Sequence, residues 1–257
     1  MTEIFHRYLA NKIMQKSYYR GTLSVGNIFL SPEESHHLVH VARVRHDEKI
    51  IILNGDGQIG HGRFVGYCDK SAMVQIDNVE IIDRPSINIT LLQSVLTNNC
   101  NDHIVRECTA IGVNKIIFCE TQYSECRLAK KIDAKLSRWN TISIESCKQS
   151  GNPFLPEILY FKSLHDVVVS DRSIKLFGGL TEHAVPVSCR LKNIVDGDEI
   201  VFSVGPEGDF SCSEYEYLRS RGFMECSLGN SVLRSETAAV YSMSVLSNWR
   251  YNRSIEK

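Results

Sequence analysis

The sequence predicts an α/β protein in which a small β-rich domain, residues 1–83, precedes a larger domain with a mostly parallel sheet, residues 87–257. Three observations lead to this prediction. Short β-branched runs separated by tight turns dominate the first part of the chain. Strands then alternate with helical patterns, which is typical of a parallel sheet covered by helices. Finally, two glycine-bearing loops directly follow apolar strands, where open α/β sheets bind ligands.

Length and composition allow two modest domains with apolar cores. The chain has 257 residues, of which 43% are hydrophobic, and a formal net charge of −1. No apolar run reaches the roughly 18 residues that span a bilayer, and the N-terminal residues lack the apolar segment of a secretory signal. The nine cysteines show no zinc-ribbon spacing, as in a protein of a reducing compartment. We therefore expect a cytoplasmic protein without a membrane span and without a metal.

The first domain is expected to hold three strands and one helix. Ser31 is the expected N-cap of the helix, with Pro32 at the first helical position and Glu34 completing a capping box. The expected strands are residues 49–53, 60–66 and 72–79. Strands with one helix fit a small barrel, and residues 84–86 are expected to form the linker to the second domain.

The second domain is expected to alternate strands and helices. The expected strands are residues 89–96, 115–119, 174–177, 199–204 and 224–228. The expected helices are residues 102–111, 131–149 and 235–250. Gly112 is the expected C-cap of the first helix. On the last helix, Ala239, Met243 and Leu246 form an apolar stripe, which either a second copy of the chain or an intrachain core would cover.

Two loops form the candidate ligand site. Gly205-Pro206-Glu207-Gly208 follows a strand and runs into a helix that opens with a capping box of Ser211 and Glu214. Leu228-Gly229-Asn230-Ser231 follows the next strand and leads to Arg234 at the start of the last helix. Because glycine has no Cβ, the backbone can approach a ligand closely at both loops. We expect one site built largely from main chain.

These motifs resemble those of the 16S rRNA (uracil(1498)-N3)-methyltransferase family, which read GPEG-x-F/L-S followed by LG-x-x-x-LR-x-ETA. They stand here at residues 205–211 and 228–238, and residues 36–45 resemble the family's HH-x-x-x-V-L-R segment. The resemblance covers nearly the whole chain. It implies a SPOUT-type α/β fold tied in a trefoil knot, and a PUA-like RNA-binding barrel at the N-terminus.

The resemblance also implies a function: methylation of a uridine at N3 in small-subunit ribosomal RNA, with S-adenosylmethionine as cofactor, by a homodimer. Arg234 is the candidate catalytic cation, because a fixed positive charge favours the deprotonated uracil ring; Glu207 and Glu236 are further candidates. The implied cofactor-binding residues are Gly178, Gly179, Leu180, Gly205, Pro206, Gly208, Leu228, Gly229, Asn230, Ser231, Val232 and Leu233.

Each of these roles has a structural alternative. Arg234 would merely tie the two loops together if it paired with Glu207 or Glu236. Glu207 would either hold the cofactor's amine or clasp its own loop. The glycines would be ordinary turn residues.

A net charge of −1 gives no general affinity for nucleic acid, so RNA contacts must come from local patches. Arg7, Arg43 and Arg45 are the candidates, and the alternative is an ordinary solvated face. The chain departs from the resembled family at Cys100, Gln122, Tyr123 and Asn152, which leaves open which RNA is bound.

Two other classes of function are compatible with the sequence. One is a non-catalytic RNA-binding or ribosome-assembly protein that keeps the methyltransferase fold. The other is a nucleotide-binding protein with phosphate at the helix that follows residue 211. Glu207 and Asp209 oppose the second class, because two carboxylates repel an anion.

Overall fold

The computed structural model describes residues 14–97, 99–192 and 194–255. It divides the chain into two compact units. The first comprises Met1–Arg84 with Ile144–Leu155, and the second comprises Pro85–Ser143 with Pro156–Lys257. The division after Arg84 falls at the expected linker. The membership of Ile144–Leu155 in the first unit was not indicated by the sequence, because it depends on contacts between distant parts of the chain.

The first unit contains a five-stranded sheet with the strand order β1-β3-β4-β5-β2. Its strands are β1 (Gln15–Tyr18), β2 (Gly26–Phe29), β3 (Lys49–Leu53), β4 (Gln58–Cys68) and β5 (Ser71–Ile81). Its helical segments are α1 (Pro32–His36) and a π-helical turn (His37–Val41). Strand β1 pairs with β3 in parallel, whereas the other pairs are antiparallel. The three expected strands are confirmed. Strands β1 and β2 were missed, because a strand of four residues is too short to show a clear alternation of apolar and polar residues.

The start of α1 differs from the expectation in one respect. Ser31 caps the helix by accepting a hydrogen bond from the Glu34 backbone N–H at 3.3 Å. The Glu34 carboxylate does not complete a capping box. It accepts instead from the Tyr18 N–H at 2.9 Å and from the Lys148 Nζ at 2.7 Å. The ammonium of Lys148 is only 6% exposed and requires a charged partner there, which a local sequence motif does not reveal.

The second unit contains a seven-stranded sheet in which every pair of neighbours is parallel, in the order β10-β12-β9-β11-β6-β7-β8. The strands are β6 (Asn88–Ser94), β7 (Lys115–Cys119), β8 (Glu157–Phe161), β9 (Ile174–Gly178), β10 (Val185–Pro186), β11 (Glu199–Val204) and β12 (Met224–Ser227). The helices are α2 (Cys100–Ile111), α3 (Ile132–Ser150), α4 (Val187–Arg190), α5 (Cys212–Ser220) and α6 (Ser235–Ile255), with a 3-10 turn at Leu164–Asp166. The predicted parallel sheet is confirmed.

Apolar clusters cover both faces of this sheet. On one face, the Trp139 ring stacks on Phe118 with 4.3 Å between centroids, among residues of α2, α3, α4 and α6. On the other, Phe177 packs edge-on against Tyr215 of α5. Burial on both faces explains why the strands read as continuous apolar runs rather than alternating ones. Helix α2 ends at Gly112 in the left-handed region, as expected.

The apolar stripe of α6 is covered within the chain. Ala239, Met243 and Leu246 are fully buried in the cluster that also contains α2 residues. The intrachain core is therefore the correct one of the two explanations for this stripe. The opposite side of α6 exposes Tyr241 and Tyr251 to solvent. No helix in the described part of the chain has the length and apolar character needed to cross a membrane.

Candidate active site

A cavity of about 450 Å³ lies at the carboxyl ends of four neighbouring strands in the second unit. Loops that follow β6, β9, β11 and β12 line it, and these strands are adjacent in the sheet. Parallel strands bring their C-terminal loops to one edge, which is where open α/β sheets bind ligands. The volume is that of a site for a small molecule.

Most of the residues expected at the site line this cavity. These are Gly178, Gly179, Leu180, Gly205, Pro206, Glu207, Leu228, Gly229, Ser231, Val232, Leu233, Arg234 and Glu236. Gly208 and Asn230 are not among its described lining residues. A Cβ at Gly208 would lie 3.2 Å from the Cβ of Tyr123, so this glycine allows a close approach of two protein segments. The lining residues not anticipated from the sequence are Thr97, Cys100, Val204, Asp209, Ser227, Ser235 and Ala238.

The buried hydroxyl of Ser235 ties two of the loops together. It accepts a hydrogen bond from the Gln93 Nε2 at 3.0 Å and donates to the carbonyl oxygen of Gly205. The start of α6, the end of β6 and the loop after β11 are therefore joined through one side chain. In the second loop, Gly229 has φ +137°, a conformation that a residue with a side chain adopts only under strain. The Ser235 hydrogen bonds hold the backbone of this wall in place, and the glycine at position 229 permits the conformation of the second loop.

Glu207 makes the loop clasp that was the alternative to cofactor binding. Its Oε1 accepts hydrogen bonds from the Thr97 backbone N–H at 2.9 Å and from the Thr97 hydroxyl at 3.0 Å. The contact joins the loop after β11 to the loop after β6. Thr97 had no signal of its own in the sequence, because the pairing of β11 with β6 brings together residues more than a hundred positions apart.

Arg234 stands exposed immediately before α6. Within the described ranges, no ion pair joins it to Glu207 or Glu236. A cation at a helix N-terminus is opposed by the helix dipole, so this position is not explained by the stability of α6. Glu236, in the first helical turn, does complement the dipole.

Charges of both signs meet around Cys100 at the start of α2. Burial raises the pKa of the Cys100 thiol; the negative charges of Glu236 and Glu207 raise it further, and the positive charge of Arg234 lowers it. The charges of Glu236, Glu207 and Arg234 thus all influence the pKa of the same thiol. With Asp209, the described lining contains three carboxylates and a single cation.

A third loop, residues 178–181, closes the cavity on the side of β9. The Leu180 N–H donates to the Tyr215 hydroxyl at 3.4 Å, and that hydroxyl donates to the Asp209 Oδ2 at 2.9 Å. Burial and the adjacent Asp209 carboxylate raise the pKa of Tyr215, so the phenol stays protonated and remains a donor. This pair connects the 178–181 loop to the loop after β11.

The RNA-binding candidates belong to the first unit. Arg43 and Arg45 are exposed after the π-helical turn, and Arg43 has φ +55°. The Arg45 backbone N–H donates to the Glu48 Oε2 at 2.9 Å, which fixes the turn. Arg7 lies outside the described residues. The described residues contain no group of three His, Cys, Asp or Glu side chains arranged to hold a metal ion.

Known proteins share both the sequence and the fold. A family model described as an RNA methyltransferase domain matches residues 83–247, and an RNA methyltransferase PUA domain model matches residues 30–71. A ribosomal RNA small subunit methyltransferase E from Aquifex aeolicus is 29% identical over 87% of this chain and 96% of its own length. A second such enzyme, from Borreliella burgdorferi, is 25% identical over 81% of this chain and 85% of its own length.

Two solved structures are similar over nearly the whole chain. A protein from Legionella pneumophila, solved in complex with the bound cofactor S-adenosylmethionine, has a TM-score of 0.83 at 27% identity, and the match covers 92% of this chain and 98% of that protein. The small subunit methyltransferase E from Neisseria gonorrhoeae, also bound to S-adenosylmethionine, has a TM-score of 0.80 at 27% identity with the same coverage.

The fold and the pocket define a SPOUT-type α/β methyltransferase with a PUA-like N-terminal domain, which confirms the predicted fold class. With more than half of its length matched by the family model, the chain belongs to the RNA methyltransferase family.

Proposed function

We propose that the chain transfers a methyl group from S-adenosylmethionine to N3 of a uridine in small-subunit ribosomal RNA. The observation that carries the proposal is the cavity in which the loops after β9, β11 and β12 meet beside Arg234. The named relatives support the class of RNA, and the two solved neighbours support the cofactor. The uridine and its N3 position rest on the resemblance of residues 205–211 and 228–238.

The charges of the cavity fit this cofactor. S-adenosylmethionine carries a sulfonium and an ammonium cation, which the carboxylates of Glu207, Asp209 and Glu236 attract. A nucleotide phosphate would be repelled by the same groups, so they disfavour the nucleotide-binding alternative. In this proposal, main-chain groups around Gly205 and Gly229 hold the adenosine portion. At Gly229 no protein atom lies within 4 Å of the place that a Cβ would occupy, which leaves room for a ligand to approach the backbone.

When bound, the cofactor supplies an electrophilic methyl group, and the protein's contribution is to position and polarise the acceptor. Uracil N3 carries a proton at neutral pH and becomes nucleophilic when that proton passes to solvent water, so that one proton is released for each methyl group added. The Arg234 guanidinium stabilises the developing negative charge on the ring and its carbonyl oxygens. Arginine does not lose its own proton under these conditions, so its charge is constant. Holding the two reactants in line lowers the barrier further.

Besides attracting the cations of the cofactor, Glu207 and Glu236 hold the residues around Arg234 in place. Through Thr97, Glu207 fixes the loop after β11 and with it the backbone of Gly205. Glu236 stabilises the first turn of α6 directly behind Arg234. Loss of either carboxylate should therefore act mainly by displacing the residues that line the cavity, and only indirectly on the methyl-transfer step.

Purified protein with S-adenosylmethionine and small ribosomal subunits is expected to add one methyl group at N3 of a uridine, without added metal. N3 lies on the base-pairing edge, so the methyl group stops reverse transcriptase at that nucleotide. Mass spectrometry of RNA fragments then identifies the base. Gly229→Val is the control, because a β-branched residue at φ +137° distorts the cofactor loop. Cofactor binding without any methyl transfer would favour the non-catalytic alternative.

We also propose that the chain forms a homodimer through the outer side of α6. Tyr241 is 46% exposed there, and Tyr251 and Ile255 are exposed along the same side. Aromatic side chains of this kind are enriched in protein interfaces. The buried residue Met243 is unsuitable for a test, because a charge there would disrupt the core of the chain itself.

Tyr241→Glu is expected to convert the dimer into a folded monomer, since it places a charge in the interface without touching the core. Light scattering gives the mass, and circular dichroism verifies the fold. Asn140→Glu adds the same charge on an exposed position of α3 and should leave the mass unchanged. A monomeric unmodified protein, or a dimeric Tyr241→Glu variant, contradicts the proposed interface.

A further inference from the structure

A buried carboxylate outside the cavity lining supports the 178–181 loop. Glu225 lies on β12 with its side chain only 4% exposed. Strand β12 pairs with β9, and Glu225 is the register partner of Phe177, one residue before β9 ends at Gly178. The Gly179 N–H donates to the Cys226 carbonyl at 3.0 Å, which continues this pairing by one residue.

Both oxygens of Glu225 are occupied by hydrogen bonds. Oε1 accepts from the Thr181 hydroxyl at 2.7 Å and from the Thr181 backbone N–H at 3.1 Å. Oε2 accepts from the Arg219 Nη2 of α5 at 2.7 Å. A buried carboxylate is stable only when donors satisfy it, and charge-assisted bonds of this kind are strong. The 178–181 loop is therefore fastened to the sheet at Thr181.

The same carboxylate explains why residue 179 is glycine. A Cβ at Gly179 would lie far inside van der Waals contact of the Glu225 Oε1 and 2.5 Å from the Cγ of the same side chain. The backbone of Gly179 thus rests directly on the buried side chain. Its lack of a Cβ is required on the side of Glu225, whether or not a ligand approaches it from the cavity.

The ionisation of Glu225 follows from these contacts. Burial alone would raise its pKa, but the hydrogen bonds from Arg219 and Thr181 outweigh burial and lower the pKa below its ordinary value. The carboxylate is therefore charged at neutral pH. Its stabilising contribution is fully present above the ordinary pKa of a glutamate and is lost as the pH falls through the lowered value.

We propose that Glu225 is a positioning residue of the cofactor site, which holds the 178–181 loop in its binding conformation by bonding Thr181 and by supporting Gly179. The inference rests on the proposed function, since the cofactor is the ligand that the loop would contact. Glu225 itself does not touch the cofactor. Its removal should act on cofactor affinity and leave RNA affinity unchanged.

A double-mutant cycle tests the coupling between the two residues. Gly179→Ala and Glu225→Ala are each expected to weaken S-adenosylmethionine binding about tenfold, measured by calorimetry. The double variant should also be about tenfold weaker, not about a hundredfold, because the methyl group added at position 179 no longer meets a carboxylate. Gly179→Ala with Glu225→Gln should remain as weak as the worse single variant, since the glutamine side chain still occupies the space.

A matched control separates positioning from general stability. Glu199 is also a carboxylate with both oxygens hydrogen-bonded, in this case by the hydroxyls of Thr90 and Ser173, but it lies at the amino end of β11 and does not line the cavity. Glu199→Ala should lower the melting temperature and leave cofactor affinity within about twofold of the unmodified protein. Additive losses in the cycle, or equal losses of affinity in Glu199→Ala, overturn the proposal. Failure of the unmodified protein to bind the cofactor would instead overturn the proposed function.

Discussion

Replacing Arg234 with alanine is expected to reduce the rate of methyl transfer by about 10²–10³-fold, the scale of losing one oriented electrostatic contact in a transition state. The guanidinium lines the cavity as the single cation among its described residues and stands at a helix N-terminus that disfavours it. Affinity for S-adenosylmethionine should change little, because the proposed cofactor contacts are mainly with the main chain of the two glycine loops. Single-turnover kinetics and calorimetry on one variant give both quantities.

The lysine substitution at the same position sharpens this test. Arg234→Lys keeps the charge but not the planar fork of donors, so it should restore only part of the rate. If Arg234 only tied the loops together, its loss would lower cofactor affinity, melting temperature and rate in parallel. The absence of an ion pair between Arg234 and either Glu207 or Glu236 among the described residues argues against that outcome. A parallel loss of cofactor affinity, melting temperature and rate would show that Arg234 takes no part in the chemical step.

Replacing Arg43 and Arg45 together with alanine is expected to weaken methylation of ribosomal RNA roughly 10- to 100-fold at low salt through the loss of two phosphate contacts. The plot of log affinity against log salt should flatten by about 1.5 units, because fewer counterions are released on binding. Cofactor affinity should be unchanged, since both arginines belong to the first unit. Filter binding at several salt concentrations measures the slope.

Arg63→Ala is the matched control for this variant. Arg63 lies on β4 of the same unit, but its guanidinium already faces Asp77 at 3.6 Å and is therefore partly neutralised. Its removal should change the salt dependence much less. An unchanged slope in the Arg43/Arg45 variant would show that these exposed side chains belong to an ordinary solvated surface. Deletion of residues 1–83 is a poorer experiment, because it would uncover buried residues of Ile144–Leu155 such as Lys148.

Local sequence patterns predicted the structure correctly wherever the contacts that determine it join residues close together in the sequence. The capping box of Ser211 and Glu214 is present as expected, because both partners lie within one helical turn. Gly112 ends α2 for the same reason. At α1, by contrast, the Glu34 carboxylate bonds Lys148, which is distant in the sequence, and the predicted capping box was wrong. Strands β8 and β10 were missed as well, because each becomes a strand only by pairing with a neighbouring strand, β7 or β12, that lies elsewhere in the sequence.

Periodicity and residue types at neighbouring positions were enough to establish the α/β class, the parallel sheet and the two glycine loops. Which side chains meet at the site depended on the folded chain. Thr97 reached Glu207, and Glu225 reached Thr181, through the pairing of strands that are far apart along the chain. Likewise, only the folded structure shows that the apolar stripe of α6 packs in the core of its own chain. Such contacts form because parallel neighbours in a sheet are joined by long crossover connections, which no local pattern encodes.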